Sequence, residues 1–181
     1  RMDSKTLEKL RYPIGEFVFP AKLTQQEVDR CIDEIEALPA KLSGEVLGLT
    51  EFQLDACYRP DGWTIRQLIH HLPDSHLNGY IRVKWALTEY QPVIKPYQEA
   101  DWAELADGKG NNIEVSLNLL QALHARWTVL LRALSPHELT RTFIHPENEH
   151  PITLDACITL YAWHGAHHLA HIVNLKKRMK W

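Results

Sequence analysis

The chain has 181 residues, 45% of them hydrophobic and 24% charged, with a formal net charge of −3. That length fits one unit on the usual scale of about 100 to 200 residues per domain, so 1–181 is read as a single domain able to bury a real core. The weakly negative balance gives no basic field to draw in nucleic acid or an acidic membrane surface, and no run of about 18 apolar residues is present to span a bilayer.

In chain order, an extended start, "LRYPIGEFVFPAKLTQQEV", leads to Thr24, followed three residues on by Glu27. This is the spacing of a capping box, and it predicts the start of a helix. Val28, Ile32, Ile35 and Leu38 recur at helical spacing, and Pro39 is expected to kink or divide the helix before Leu42, Val46, Leu49 and Leu54 continue the stripe. The cluster "RPDG" then ends it, and Thr64 is the predicted cap of a second helix with Ile65, Leu68, Ile69 and Leu72 inward. Pro73 should bend that helix, but the apolar period over 75–90 keeps it helical. The polar connection "QPVIKPYQEADWAELADGKGNN" precedes a third helix over about 113–134. A second connector, "SPHELTRTFIHPENEHPIT", precedes a fourth, running from about Leu154 into "KKRM", where basic residues complement the helix dipole. Strands are expected to be few or absent. The fold class read from this pattern is all-α, a four-helix bundle with two long connections, whose core is a familiar place for a metal site.

The three cysteines, Cys31, Cys57 and Cys157, form no CxxC pair. They suggest neither a disulfide framework nor a thiolate zinc site and fit a reducing cytoplasm; Cys57 and Cys157 are expected to be buried packing residues. No signal-peptide order is seen at the start, and Arg1, which precedes Met2, is read as an addition and set aside.

The informative stretch is "LYAWHGAHHLAHIVNLKKRMKW", which holds His164, His167, His168 and His171. On a helix these four project within a sector of roughly 100°, toward apolar neighbours where unpaired ring nitrogens are costly. His164 and His168, at i and i+4, lie one turn apart and can offer two nitrogens to one ion at about 2.0–2.1 Å for zinc. A third ligand must come from elsewhere. His70, His71 and His76 on the second helix are the candidates, and His71 is chosen because it shares a face with Leu68 and Leu72. A lone helical histidine is more often a surface or hydrogen-bonded core residue, so the argument rests on two histidine groups on separate helices. His167 and His171 are read as outer residues around the ion, and His124, His137, His145 and His150 are given no chemical part.

The segment "WTIRQLIHHLPDSHLNGYIRVK", with a Trp followed eight residues later by His and Leu, and the closing "WHGAHHLAH" resemble the DinB superfamily. "YPIGEF" and "YRPDGWT" are similar to its YfiT branch, named for metal-dependent hydrolysis and related to bacillithiol S-transferases. The resemblance implies an antiparallel DinB-type bundle, a cytoplasmic protein, a homodimer, and one divalent ion held by His71, His164 and His168.

Three neutral imidazoles with open positions suit a catalytic rather than a structural ion. Imidazole also accepts nickel, iron and copper, so Zn2+ is the first expectation and Ni2+ the second. The leading expectation is activation of a low-molecular-weight thiol for transfer to an electrophile; bacillithiol as that thiol is implied by the resemblance. The alternative is a hydrolase using metal-bound water, with Asp74 as base or as orienting partner of His71. A third reading is a non-catalytic, metal-stabilised binding or dimerisation module. No HExxH, GxSxG or Cys–His arrangement points to a conventional zincin or serine hydrolase. Tyr12, Pro13, Ile14 and Gly15 are expected near the pocket mouth, Arg59 and Arg82 as partners for a carboxylate, and Trp63 and Trp163 as core or pocket walls.

Overall fold

A computed structural model describes residues 2–110 and 112–181, so Arg1 lies outside the described residues. The elements are α1 (Ser4–Arg11), α2 (Gln25–Val46), α3 (Glu51–Leu54), α4 (Ile65–Thr88), α5 (Glu99–Ala103), α6 (Ala106–Lys109), α7 (Ile113–Arg132), the paired strands β1 (Thr142–Phe143) and β2 (Ile152–Thr153), and α8 (Leu154–Met179). Four long helices, α2, α4, α7 and α8, form the expected bundle. The expected capping box opens α2, with Thr24 and Glu27 each bonding the other's backbone N–H, and Thr64 with Gln67 does the same for α4.

Two apolar clusters fix the helix directions. One joins Val28, Ile32 and Ile35 of α2 to Val83 and Ala86 of α4, Trp127 and Leu131 of α7, and Cys157, Ile158 and Tyr161 of α8. The other joins Leu38, Leu42 and Val46 to Ile65, Leu68 and Leu72, Leu117 and Leu120, and Ile172 and Leu175. Each cluster therefore takes the start of α2 and α8 with the end of α4 and α7, or the reverse. So α2 and α8 run one way and α4 and α7 the other, and the cyclic packing order α2–α7–α4–α8 contains both antiparallel and like-directed neighbours. A like-directed pair needs a long crossover, and the 89–112 connection between α4 and α7 supplies one. It is not featureless, because α5 and α6 interrupt it. Between the two clusters lies a layer of buried imidazoles at the waist of the bundle.

Two expectations are corrected, and one element is added. Pro39 does not divide α2, which runs unbroken over 22 residues, because buried Ile35, Leu38 and Leu42 hold the helix on both sides of it. The N-terminal segment before the extended stretch is helical: Asp3 caps α1 by accepting from the Thr6 N–H at 2.7 Å. Cys57 is exposed and sits in an isolated bridge with Thr64, whereas Cys157 is buried as expected.

The α4–α8 contact depends on the absence of a side chain at one position. A Cβ at Gly79 would stand 2.4 Å from the Tyr161 ring, and that ring is held between Trp127 at 5.1 Å and His76 at 5.2 Å. With no room to yield, Gly79→Ala is expected to cost about 1–3 kcal/mol by overpacking, read as a lowered denaturation midpoint in urea. An unchanged midpoint would show that the Tyr161 ring is free to move.

Candidate metal centre

Helix spacing brings His164 and His168 onto one face of α8, and the antiparallel α4–α8 pair delivers His71 opposite them. The Nε2 of His164 lies 3.1 Å from His71 Nε2 and 3.1 Å from His168 Nε2. Ligand atoms of these three all fall within 4.8 Å of one another. Two nitrogens at about 2.0–2.1 Å from one tetrahedral zinc stand about 3.3 Å apart, so the spacing fits a single ion of that size. His71 and His168 are buried, and His164 is partly exposed along the wall of a 570 Å3 cavity. Trp63 packs 4.7 Å from the His71 ring, half-buried against the apolar cluster of Leu68 and Leu72.

Burial pushes the His71 imidazole down to about 3, with the nearby His167 adding to the effect. Burial, then neighbouring imidazoles, also holds His164 and His168 well below the ordinary histidine range. Neutral rings are what a metal requires of its ligands. Among the described residues, no carboxylate hydrogen-bonds any of the three.

Asp74 shares no hydrogen bond with this cluster. The Asp74 carboxyl is pushed up to about 6 by burial and by Asp107, and the Asp74 backbone carbonyl accepts from Asn78 Nδ2 at 2.8 Å. It makes no hydrogen bond to His71, so nothing here orients that ring from Asp74. The cavity beside His164 is lined instead by Arg82, Glu99, His145 and Glu147, with Tyr161, Tyr97, Phe17 and Phe19 as its aromatic walls. Burial raises the Glu99 carboxyl while Arg82 opposes the shift. Arg82 also donates to the Lys95 carbonyl at 3.2 Å. Arg59 turns to its own loop, donating to Tyr58 Oη and to the Pro60 carbonyl.

The N-terminal arm covers the outer face of α8. Trp163 Nε1 donates to the Gly15 carbonyl at 3.3 Å, Tyr12 lies 5.9 Å from the His167 ring, and Trp163 stacks on His167 at 4.4 Å. His167, His168 and His171 are also close enough to share an ion. There, however, His171 Nε2 already donates to the Arg11 carbonyl at 2.8 Å and His171 Nδ1 meets His168 Nδ1 at 3.2 Å, so hydrogen bonds occupy two of its members, while the buried His167 Nδ1 has no hydrogen-bond partner.

The residue that sequence reasoning set aside is His124. It is buried on α7, with Nε2 2.7 Å from His76 Nδ1 and Nδ1 2.6 Å from the Ile35 carbonyl oxygen. His76 in turn places Nε2 3.0 Å from His164 Nδ1. Only the position of His76, five residues on from His71 in the same helix, hinted at this in the sequence; His124 gave no signal.

Residues 26–172 match the DinB superfamily. The chain is 54% identical over 171 residues to "Putative metal-dependent hydrolase OB0782" of Oceanobacillus iheyensis, covering 94% of this chain and 98% of that protein. It is 50% identical over 175 residues to "Putative metal-dependent hydrolase BcerKBAB4_2443" of Bacillus mycoides, covering 97% and 100%. Among solved structures it is similar to YfiT from Bacillus subtilis, described as "a probable metal-dependent hydrolase with an unusual four-helix bundle topology", at 48% identity and a TM-score of 0.93 over 96% of this chain and 99% of that one.

Proposed function

The chain belongs to the DinB superfamily, and from that premise we propose that it is a divalent-metal-dependent hydrolase whose ion is held by His71, His164 and His168. The observation that carries this reading is the convergence of three neutral imidazole nitrogens, two pairs of them 3.1 Å apart, beside an open cavity. The naming of its relatives as metal-dependent hydrolases supports it. Zn2+ suits the donor set first and Ni2+ second. When bound, such an ion supplies Lewis acidity and a coordinated water with a pKa of about 7.

The chain's own residues do the rest. His71, His164 and His168 contribute no negative charge, so the centre favours anionic oxygen or sulfur. Arg82 on the cavity wall offers its guanidinium to an anionic substrate group. Phe17, Phe19 and Tyr161 restrict water around the reacting atoms. Glu99, with its raised carboxyl on the same wall, is a candidate base, and Asp74, whose carboxyl is also raised, is the second.

A second reading is favoured by the absence of any carboxylate hydrogen-bonded to the three histidines among the described residues. A small thiol of the bacillithiol type, its pKa lowered by a bound ion, would pass its proton to solvent without a base. Its sulfur then bonds to an electrophilic carbon, and the leaving group departs with the electron pair. The same proposal includes a cytoplasmic homodimer. No helix is long and apolar enough to cross a membrane.

The test strips the protein with a chelator, restores Zn2+ or Ni2+, and assays a nitrophenyl ester alone and a small thiol with a chromogenic electrophile. Ester turnover that follows the metal supports hydrolysis, and turnover only with thiol supports transfer. No metal-dependent turnover of either kind would leave the enzyme reading without support.

A further inference from the structure

Resting on that metal-site reading, we propose that His76, His124 and His171 are positioning residues that fix His164 and His168 as Nδ1–H tautomers, with both Nε2 lone pairs directed at the centre.

The assignment runs inward from two backbone carbonyls. Pro39 has no N–H, so the Ile35 carbonyl four residues earlier lacks its helical donor. His124 Nδ1 fills that place at 2.6 Å, and a carbonyl can only accept, so the proton is on His124 Nδ1. In a neutral ring Nε2 is then an acceptor, and His76 Nδ1, at 2.7 Å, must donate to it. His76 Nε2 is left to accept, and His164 Nδ1, at 3.0 Å, is its donor. His164 Nε2 therefore carries a lone pair toward His71 and His168.

The second relay is shorter. Arg11 ends α1, where the last carbonyls have no intrahelical donor, and His171 Nε2 donates to its carbonyl at 2.8 Å. His171 Nδ1 must accept, so His168 Nδ1 donates across 3.2 Å, leaving His168 Nε2 as a lone pair. Both relays require neutral rings. An imidazolium at His76 would donate from both nitrogens and force the proton of His164 onto Nε2, blocking it. Burial argues against that charge, since His76 is 0% and His124 1% exposed and no carboxylate bonds to either.

Metal-bound histidines ordinarily donate their second N–H to a carboxylate, carbonyl or water. Here other histidines stand between ligand and carbonyl, so the rings are oriented without bringing negative charge to the site. Pro39, which sequence reading takes for a helix breaker, is what makes the Ile35 carbonyl available.

The experiment is long-range 1H–15N correlation on the metal-free, 15N-labelled protein near pH 7.5. It should show Nδ1–H for His76, His124, His164 and His168, Nε2–H for His171, and nitrogen–nitrogen couplings across the His76–His124 and His76–His164 bonds. An Nε2–H tautomer at His164 or His168 overturns the proposal whether or not the protein binds an ion. The expected tautomers together with no Zn2+ binding would sink the metal reading and leave the relays standing. Zn2+ affinity, measured against a competing chelator, should weaken about 10- to 100-fold in His76→Phe. His76→Gln, whose amide can both accept from His164 and donate to His124, should restore most of it. Equal affinity in all three proteins would remove the positioning role. Since His76→Phe can also disturb folding, Pro39→Ala provides a milder probe: its new N–H competes for the Ile35 carbonyl, and the His124–Ile35 bond should weaken in the same spectra.

Discussion

His164→Ala is expected to abolish stoichiometric binding of Zn2+ and with it the stabilisation that the ion confers. Of the three proposed ligands, His164 is the one whose Nε2 lies 3.1 Å from the Nε2 of each of the others, so its loss leaves two nitrogens without their common neighbour. An ion that binds only the folded chain stabilises it by about 4 kcal/mol at a concentration a thousand times its dissociation constant. For a chain of this size that corresponds to a rise in melting temperature of about 8–16 °C. His164→Ala should show almost none of this rise. The variant will also be less stable without metal, because His76 Nε2 loses its donor and a cavity opens at the waist of the bundle. The informative quantity is therefore the shift on adding Zn2+ within each protein, with elemental analysis of the bound ion beside it. A full metal-induced shift in the variant would rule out His164 as a ligand.

How much of this was legible in the sequence follows from the range of each interaction. The caps at Thr24 and Thr64 are local, three residues from their partners, and could be read directly. The i, i+4 pair His164 and His168 is also local, and His71 followed from the apolar face it shares with Leu68 and Leu72. Helix α1 has only eight residues, with Leu7 and Leu10 half-buried and none fully buried, so its apolar period was too short to reveal it, although Asp3 stood ready as a cap. Helices α5 and α6, of five and four residues, are too short for any period to register. His124 was invisible for a different reason: its partners lie 48 and 89 residues away, and nothing near it in the chain marks a buried imidazole. The same distance hid the consequence of Pro39. Local rules describe a proline as a lost hydrogen bond, and only the packing of α7 on α2 shows that His124 takes the carbonyl it frees.

The buried imidazoles also predict that the metal-free protein loses stability steeply on mild acidification. Burial pushes His124 down to about 4 and His171 down to about 4, from an ordinary value of 6.5. Because the folded values lie below the unfolded one, the unfolded chain binds more protons between pH 4 and 6.5. Stability is therefore complete above pH 6.5 and declines as the pH falls through that window. Each group costs about 2 kcal/mol by pH 5 at 1.36 kcal/mol per pKa unit, or about 4 kcal/mol together. Asp74 works the other way, since its carboxyl is raised to about 6 and the folded chain gains its proton first; it returns about 1 kcal/mol over the same range. The net loss of about 3 kcal/mol is a large part of an ordinary folding stability of about 5–15 kcal/mol. His71, His76, His164, His167 and His168, also held low mainly by burial, deepen it, and Glu99, whose carboxyl burial raises, offsets a part. Urea denaturation at pH 7.5, 6.5, 5.8 and 5 measures the slope. A flat profile would mean that these rings titrate normally in the folded chain, and the neutral, lone-pair geometry of the site would lose its electrostatic basis. With Zn2+ present the decline should begin at lower pH, because the ion holds the folded state against the same protons.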